Sequence, residues 1–304
     1  MLLLKKLKIK KSTKSIDGKK DNTILRRYAI GYLIFLYAPI IFIPLFSFNI
    51  GSIVAFPIEG WSFKWYVELF QTPAVGQALI NSLKVAIPAS LISTLIALLA
   101  CRALTRYQLP FKHTLTAPIM LPLFLPDIMM GLSILQIVNQ FRNSISPHLP
   151  PVMQSIFTDY FPSLLTITLG HILILLPFSV TVLLSAFQGL DRSLEEASAD
   201  LGENESQTFF RVILPLVMPG ILSSFILCFI VSFDEFIIAF FAAGTENTLP
   251  LYLWSQLRFI QKLPHILALG SLIIVSSIIL ISMVEIIKNQ SLKKTGIKGG
   301  GGIW

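Results

Sequence analysis

The chain has 304 residues, of which 54% are hydrophobic and 13% are charged, and its mean hydropathy is +0.74. Soluble domains carry about 25% charged residues. This composition therefore excludes an ordinary soluble protein and, with apolar runs of about 20 residues, predicts a polytopic α-helical membrane protein. The two cysteines lie inside predicted spans and the four histidines lack ligand spacing, which disfavours a disulfide framework and a metal site.

In chain order, a basic cytoplasmic arm at 1–27 precedes a six-helix membrane domain at 28–288, and a lysine- and glycine-rich tail predicted to be disordered follows at 289–304. Each predicted span is an apolar run long enough to cross a bilayer. Prolines inside several spans predict kinked or broken helices. The predicted spans are Tyr28–Phe48, Gln77–Ala103, Thr114–Val138, Ser163–Phe187, Met218–Ala242 and Pro264–Ile287.

The distribution of lysine and arginine predicts the orientation of these spans. With the N-terminus in the cytoplasm, the inner segments carry 19 of the 24 basic residues and the outer loops carry 4. This bias places both termini and the loop at 190–215 in the cytoplasm. The net charge of +8 is therefore interpreted as a topology signal and an anionic-lipid contact, and nucleic acid is not expected as a partner.

The most charged part of the membrane domain is the loop at 190–215, which holds six acids between Asp191 and Glu205. Ser193 with Glu196 fits an N-terminal capping box, with Asp191 as the alternative cap. Gly202 fits the left-handed residue that follows a helix end. Apolar residues between these signals recur at helical spacing, which predicts a short helix with one apolar face: Leu190, Leu194, Ala197 and Leu201.

A second short helix is predicted over Glu203–Arg211, after which Pro215 and Pro219 mark the return to the membrane. The resulting pair of helices must lie in water, because so many charges are too costly in lipid. These residues alone leave two interpretations open. The loop is either an amphipathic segment that rests on the membrane or an element on which another protein docks.

The spacing within this loop resembles the signature of the permease subunits of binding-protein-dependent ABC importers. That signature is Glu-Ala-Ala, three residues, Gly, nine residues and Ile-x-Leu-Pro. This chain has Glu196-Ala197-Ser198, Gly202 and Val212-Ile213-Leu214-Pro215 at the same spacing, with Ser198 and Val212 as departures. In that family the loop is the coupling helix, which sits in a cleft of the ATPase subunit. The resemblance therefore implies a set of ATPase-coupling residues: Glu195, Glu196, Ala197, Ser198, Gly202, Leu214 and Pro215.

The resemblance covers about 28–288 and implies the type I ABC importer permease fold, with six transmembrane helices and a cytoplasmic coupling helix, in the inner (cytoplasmic) membrane of a bacterium. Such a subunit is not an enzyme and is expected to bind no cofactor. The chain has no P-loop motif, so ATP is used by a partner subunit. The implied partners are an ABC ATPase dimer, a second permease subunit expected to be a paralogue, an extracytoplasmic solute-binding protein, a small-molecule substrate and membrane lipids.

Several stretches are most similar to the spermidine/putrescine permeases, which implies import of a polyamine. They are Trp61-Ser62-Phe63-Lys64-Trp65-Tyr66, Asn81-Ser82-Leu83, Leu125-Pro126-Asp127-Ile128, Ser232-Phe233-Asp234-Glu235-Phe236 and Thr248-Leu249-Pro250-Leu251-Tyr252. Importers with similar stretches carry other small solutes, including iron and thiamine, so these solutes remain alternatives. A self-powered secondary cation transporter is a further alternative, although such a carrier has no need of the coupling signature.

Three acids lie inside predicted spans and form the candidate translocation path. Asp127, Asp234 and Glu235 are all predicted at roughly 20–25 Å from the inner membrane face, at a rise of 1.5 Å per residue. A charge near the bilayer centre costs roughly 2.5–3.5 kcal/mol, so we expect these carboxylates to face a wet path, where they replace part of the water around an ammonium group. The alternative is structural: Asp234 pairs with Lys84, or Asp127 binds backbone freed by Pro126.

Overall fold

The computed structural model describes residues 21–51, 53–108, 110, 112–144, 148, 150 and 163–295. The first helix begins at Asp21 and the last ends at Thr295. The domain boundaries predicted at 28 and 288 therefore fall inside helices, while most of the predicted arm and the end of the predicted tail lie outside the described residues.

Regular structure in the described residues is helical, apart from one isolated bridge between Asn49 and Trp61. Short 3₁₀ turns follow the fourth helix and precede the last one. The helices are α1 (Asp21–Ser47), α2 (Lys64–Gln71), α3 (Pro73–Arg106), α4 (Lys112–Met120), α5 (Asp127–Ser144), α6 (Leu164–Gln188), α7 (Ser193–Asp200), α8 (Glu205–Thr208), α9 (Leu214–Asp234), α10 (Ile237–Ala242), α11 (Leu249–Gln256) and α12 (Leu263–Thr295).

Five helical segments in this part of the chain are long and apolar enough to cross a membrane, and a sixth crossing requires a bent pair. The third span, predicted over Thr114–Val138, consists of two helical pieces with a bend of 111° between them, which confirms the prediction that prolines break helices in the spans. The break has a local cause, because Pro126 has no N–H to donate and forces the residue before it out of the helical region. Leu125 accordingly has extended backbone angles, with φ −91° and ψ 136°.

The fifth predicted span, Met218–Ala242, also differs from the structure at both ends. Its helical stretch starts earlier, at Glu205, and stops at Asp234. Glu235 is extended, with ψ 122°, and α10 resumes the helix beyond it. No proline marks the break at Glu235, and the apolar pattern continues on both sides of it. The sequence therefore predicts one continuous helix there.

The core lies between α3, α6 and α9. In the most apolar stretch of α6, 61% of residues are buried, whereas in α1 only 6% are buried, so α6 is central and α1 peripheral. A chain of buried polar side chains crosses this core: Ser179 Oγ lies 3.0 Å from Ser224 Oγ and 3.0 Å from Cys228 Sγ. Thr94 extends it to α3, at 3.5 Å from Ser224 Oγ. Such contacts satisfy polar groups between membrane helices, each contributing about 1 kcal/mol.

Close helix contact at Gly220 generates the first prediction. A Cβ atom there would lie 2.8 Å from the Ala186 Cβ atom, which cannot move aside without its backbone. Gly220→Ala should therefore separate α9 from α6 and lower the free energy of unfolding by about 1–3 kcal/mol, measured by denaturant titration of the protein in detergent micelles.

Gly76→Ala is the matched control, because nothing lies within 4 Å of a Cβ atom at that helical position. Alanine there gains up to about 1 kcal/mol of helix propensity. Equal effects of the two substitutions would contradict the close contact between α6 and α9.

Candidate coupling and translocation sites

The C-terminus of α7 has the geometry that the sequence predicted around Gly202. The φ angle of Gly202 is +86°, in the left-handed region that other residues rarely adopt. Its N–H donates to the Ala199 carbonyl at 2.9 Å, and the Glu203 N–H donates to the Ser198 carbonyl at 3.2 Å. These two bonds satisfy carbonyls that a helix end otherwise leaves unpaired. Glycine is thus required here by conformation.

The N-terminus of α7 uses the alternative cap. The Ser193 N–H donates to Asp191 Oδ1 at 3.0 Å, and this hydrogen bond, with that of the Ser193 hydroxyl, holds the pKa of Asp191 below its usual value. The capping box appears instead on the next helix, where Asn204 and Gln207 exchange side-chain and backbone hydrogen bonds of 2.9 Å. The second helix predicted at 203–211 is thus α8 followed by a wider π-helical turn at Phe209–Ile213.

One face of α7 points into the chain. The Glu195 carboxylate forms an ion pair with Arg106 at the end of α3. Ser198 is buried, and its hydroxyl lies 2.9 Å from Thr208 Oγ1 on α8. The serine that departs from the family signature therefore makes a hydrogen bond that an alanine could not make.

The other face of α7 is exposed. Leu194 is 43% exposed and Leu201 is 86% exposed, and Glu196 and Ala197 are also exposed. No described element of the chain covers this mixed apolar and acidic face. An exposed apolar face of this kind is a common feature of protein interaction sites.

Arginines of α3 also hold this loop, and sequence reasoning had assigned them only to the topology signal. Arg102 donates to the Glu205 carbonyl at 3.4 Å, and its guanidinium lies 4.3 Å from the centre of the Phe209 ring. The Tyr107 hydroxyl donates to Glu205 Oε2 at 3.1 Å. No pattern within the loop could have found these contacts, because the partners lie about a hundred residues apart in the chain.

The last two predicted coupling residues lie in the first turn of α9. Leu214 packs against the buried cluster that joins α3 to α6. Pro215 is exposed and lies directly after the π-helical turn at Phe209–Ile213. A proline removes one backbone donor from a helix, and the wider turn occurs next to the position where that donor is missing. The structure thus places both residues where α9 begins and not on α7.

The three acids of the candidate translocation path lie at the two helix breaks. Asp127 is the first residue of α5, Asp234 is the last residue of α9, and Glu235 follows it. Glu235 Oε1 accepts a hydrogen bond from the Ile238 N–H at 2.9 Å. A Cβ atom at Gly131, one turn after Asp127, would lie 3.4 Å from the carbonyl oxygen of Ile237, two residues after Glu235, so the two breaks lie near each other.

Packing fixes the positions of both breaks. A Cβ atom at Gly131 would lie 2.6 Å from the Phe241 ring, so α5 and α10 approach closely. His171 Nδ1 lies 2.7 Å from Ser232 Oγ, and both residues are buried, which anchors the end of α9 to α6. The backbone that carries each acid is thus held in place by packing against neighbouring helices.

The structural alternative for Asp234 does not appear. The ion pairs formed by the described residues are Arg106–Glu195 and Arg211–Glu203, so Lys84 and Asp234 are not paired. Lys84, Asp127 and Asp234 are all exposed, and Glu235 is half-buried. The carboxylates are therefore accessible to a ligand.

A polar face of α5 was missed at the level of sequence. Ser133, Gln136 and Asn139 are exposed along one side of α5, together with apolar neighbours on the same helix. They recur at intervals of three residues, which places them on the side of α5 opposite Gly131 and Ile134. This spacing could have been recognised, because amides inside a predicted apolar span are costly in lipid unless they face water or a partner.

These features together define a helical membrane transport subunit, with a short, partly exposed helix in a charged loop and acids at two helix breaks. The chain belongs to the family of binding-protein-dependent transport system inner membrane components, which matches residues 19–290.

Relatives of known name support this assignment. The putrescine transport system permease protein PotI of Escherichia coli (strain K12) is 33% identical over 249 residues, which cover 79% of this chain and 82% of that protein. The spermidine/putrescine transport system permease protein PotC of Shigella flexneri is 30% identical over 269 residues, which cover 88% and 93% respectively. Both are permease proteins of transport systems, as the sequence resemblance implied.

The fold is shared with a solved structure. A chain in the crystal structure of a bacterial alginate ABC transporter, in complex with an alginate pentasaccharide-bound periplasmic protein, superposes with a TM-score of 0.63. The two chains are 18% identical, and the superposition covers 97% of that chain and 92% of this one. The predicted fold, that of an ABC importer permease, is confirmed.

The left-handed turn at the end of α7 generates the second prediction. In Gly202→Ala, a Cβ atom in the left-handed region should cost about 1–2 kcal/mol. The N–H of residue 202 and that of Glu203 should therefore exchange with deuterium roughly five- to thirty-fold faster, as measured by hydrogen–deuterium exchange of the purified protein.

Gly189→Ala provides the control in the same loop, because Gly189 has a φ of −76° and a Cβ atom there would make only ordinary contacts. Its exchange pattern over α7 should match that of the wild type. Unchanged exchange in Gly202→Ala would show that the turn imposes no conformational requirement.

Proposed function

We propose that this chain is a permease subunit of a polyamine importer, which moves spermidine or putrescine into the cytoplasm with energy from a separate ATPase. The observation that carries the proposal is the meeting of two helix breaks that present Asp127, Asp234 and Glu235. Carboxylates near one another, without a paired cation in the described part of the chain, suit a ligand with several ammonium groups. The names of the relatives, which refer to putrescine and spermidine, support the same solute class.

The exposed face of α7 is the proposed docking surface for the ATPase dimer. Leu194, Ala197 and Leu201 supply apolar area, and Glu196 supplies a charge at the N-terminal half of the helix. Ser198 and Gly202 act indirectly in this proposal, because they hold α7 in shape. ATP is bound and hydrolysed by the partner, and both termini of this chain lie in the cytoplasm with α7.

The remaining partners are proposed because this chain alone does not enclose a complete path for the solute. The polar face of α5 faces away from its own bundle, and we assign it to the solute path that a second permease subunit, a paralogue of this chain, completes. An extracytoplasmic solute-binding protein delivers the polyamine to the outer face. The neutral amides of Gln136 and Asn139 can accept hydrogen bonds from ammonium groups on the way to the acids.

The solute assignment is tested on the purified complex in proteoliposomes. Asp234→Asn keeps the shape of the side chain but removes its charge, so uptake of radiolabelled spermidine should fall about tenfold, equivalent to about 1.4 kcal/mol. Glu246→Gln, which removes an exposed acid from the outer loop, should leave uptake unchanged.

Equal uptake by Asp234→Asn and the wild type would remove this acid from the path. Uptake of labelled thiamine or iron, without uptake of labelled spermidine, would replace the polyamine with one of the alternative solutes. Uptake that proceeds without ATP would favour a secondary cation transporter.

The docking proposal makes its own prediction. Leu201→Glu places a charge on the exposed apolar face of α7 and should reduce the amount of ATPase that copurifies with this chain by at least tenfold, because the charge loses its water at the interface. Gln188→Glu adds the same charge to an exposed position on the same side of the membrane and should retain the ATPase. Full retention of the ATPase by Leu201→Glu would place the docking surface elsewhere.

A further inference from the structure

The longest helix of the bundle touches functional elements at both of its ends. α3 has 34 residues, which corresponds to about 50 Å at 1.5 Å per residue. It remains one helix through Pro88 and packs along α6 and α9. The two ends of α3 are therefore connected by one continuous helix that packs against two others.

At its cytoplasmic end, α3 is connected to α7 and to the residue before α7 by an ion pair and a hydrogen bond. α7 provides the Glu195 carboxylate to the Arg106 guanidinium. The residue preceding α7, Arg192, donates to the Thr105 carbonyl at 2.8 Å. The Arg106 side chain is only 12% exposed and that of Glu195 is 25% exposed, so water screens the pair weakly and separation would leave a charge uncompensated.

At its outer end, α3 holds the segment that follows α10. Asn81 Nδ2 donates to the Asn247 carbonyl at 3.1 Å, and the Leu249 N–H donates to Ser82 Oγ at 2.7 Å. Asn81 and Ser82 are both 3% exposed. Asn81 lies 25 positions before Arg106, or about 37 Å along the helix.

The segment held at the outer end belongs to the same short stretch of chain as the second helix break. α10 begins directly after Glu235 and Phe236, and the segment held by α3 starts five residues after α10 ends. The Glu235 carboxylate itself accepts a hydrogen bond from the first turn of α10. A displacement of α3 along its axis would therefore pull on α10 and on the carboxylate at the break.

We propose that α3 carries the movement of α7 to the acids of the translocation path, and that Arg106 and Glu195 are the positioning residues that fasten this link. The proposal rests on the proposed function, in which an ATPase moves α7. It separates the roles of two adjacent acids, since Glu196 faces the partner while Glu195 connects α7 to α3. Asn81 is the corresponding positioning residue at the outer end.

The test compares transport with ATP hydrolysis in proteoliposomes that contain the complete importer. Arg106→Gln should retain the ATPase and its rate of hydrolysis but reduce the spermidine imported per ATP at least fivefold. Asn81→Ala, at the other end of α3, should lower the same ratio. A loss that comes only from reduced folding would lower uptake, hydrolysis and copurification together and leave the ratio unchanged.

Arg211→Gln is the matched control. It breaks the other ion pair of the same loop, Arg211–Glu203, which does not involve α3, and the ratio of uptake to hydrolysis should remain that of the wild type. Arg106→Glu combined with Glu195→Arg exchanges the charges of the link and should restore the ratio to at least half of its wild-type value.

Two outcomes would overturn the link. One is a wild-type ratio in Arg106→Gln, and the other is an equal loss in Arg106→Gln and Arg211→Gln. If Arg106→Gln fails to assemble, the charge-exchanged variant decides, and an assembled complex with a ratio below half of the wild-type value counts against the link. A wild-type complex that imports no spermidine with ATP would refute the proposed function itself, which is a distinct result.

Discussion

A helix that stops within a bilayer leaves backbone N–H and C=O groups without water to bind, and the protein must supply other partners. The breaks after Leu125 and at Glu235 both meet this constraint with acidic residues. Glu235 accepts the N–H of Ile238, and Asp127 occupies the first turn of α5. A negative charge at a helix N-terminus is stabilised by the helix dipole, typically by 0.3 to about 1 kcal/mol. The breaks thus make Asp127 and Glu235 less costly, and these two acids help to make the breaks possible.

The rest of the bundle supports these two breaks. α6 lies at the centre, and a Cβ atom at Gly170 would lie 2.6 Å from Ile238 of α10 and 2.8 Å from Ile134 of α5. One glycine therefore lets the helices that follow both breaks approach the same surface of α6. Hydrogen bonds between buried hydroxyl and thiol groups connect α6 to α9.

Much of this architecture could be predicted from the sequence, because apolar runs and basic loops report directly on the bilayer. The spans that became α3 and α6 were located to within a few residues, and Gly202 was identified as the end of α7 since only a left-handed residue fits there. The break at Glu235 could not be predicted, because it arises from packing between α10, α5 and α6. The inward direction of Glu195 could not be predicted either, since its partner Arg106 is distant in the chain.

The hydrogen bond between Ser198 and Thr208 has an evolutionary consequence. Both hydroxyls are buried, and loss of one partner leaves the other unsatisfied, at a cost of about 1–3 kcal/mol, whereas replacement of both by apolar groups is nearly neutral. Positions 198 and 208 should therefore vary together among homologues. Chains that keep the signature alanine at the first position should carry an apolar residue at the second, and a hydroxyl should appear at both positions or at neither.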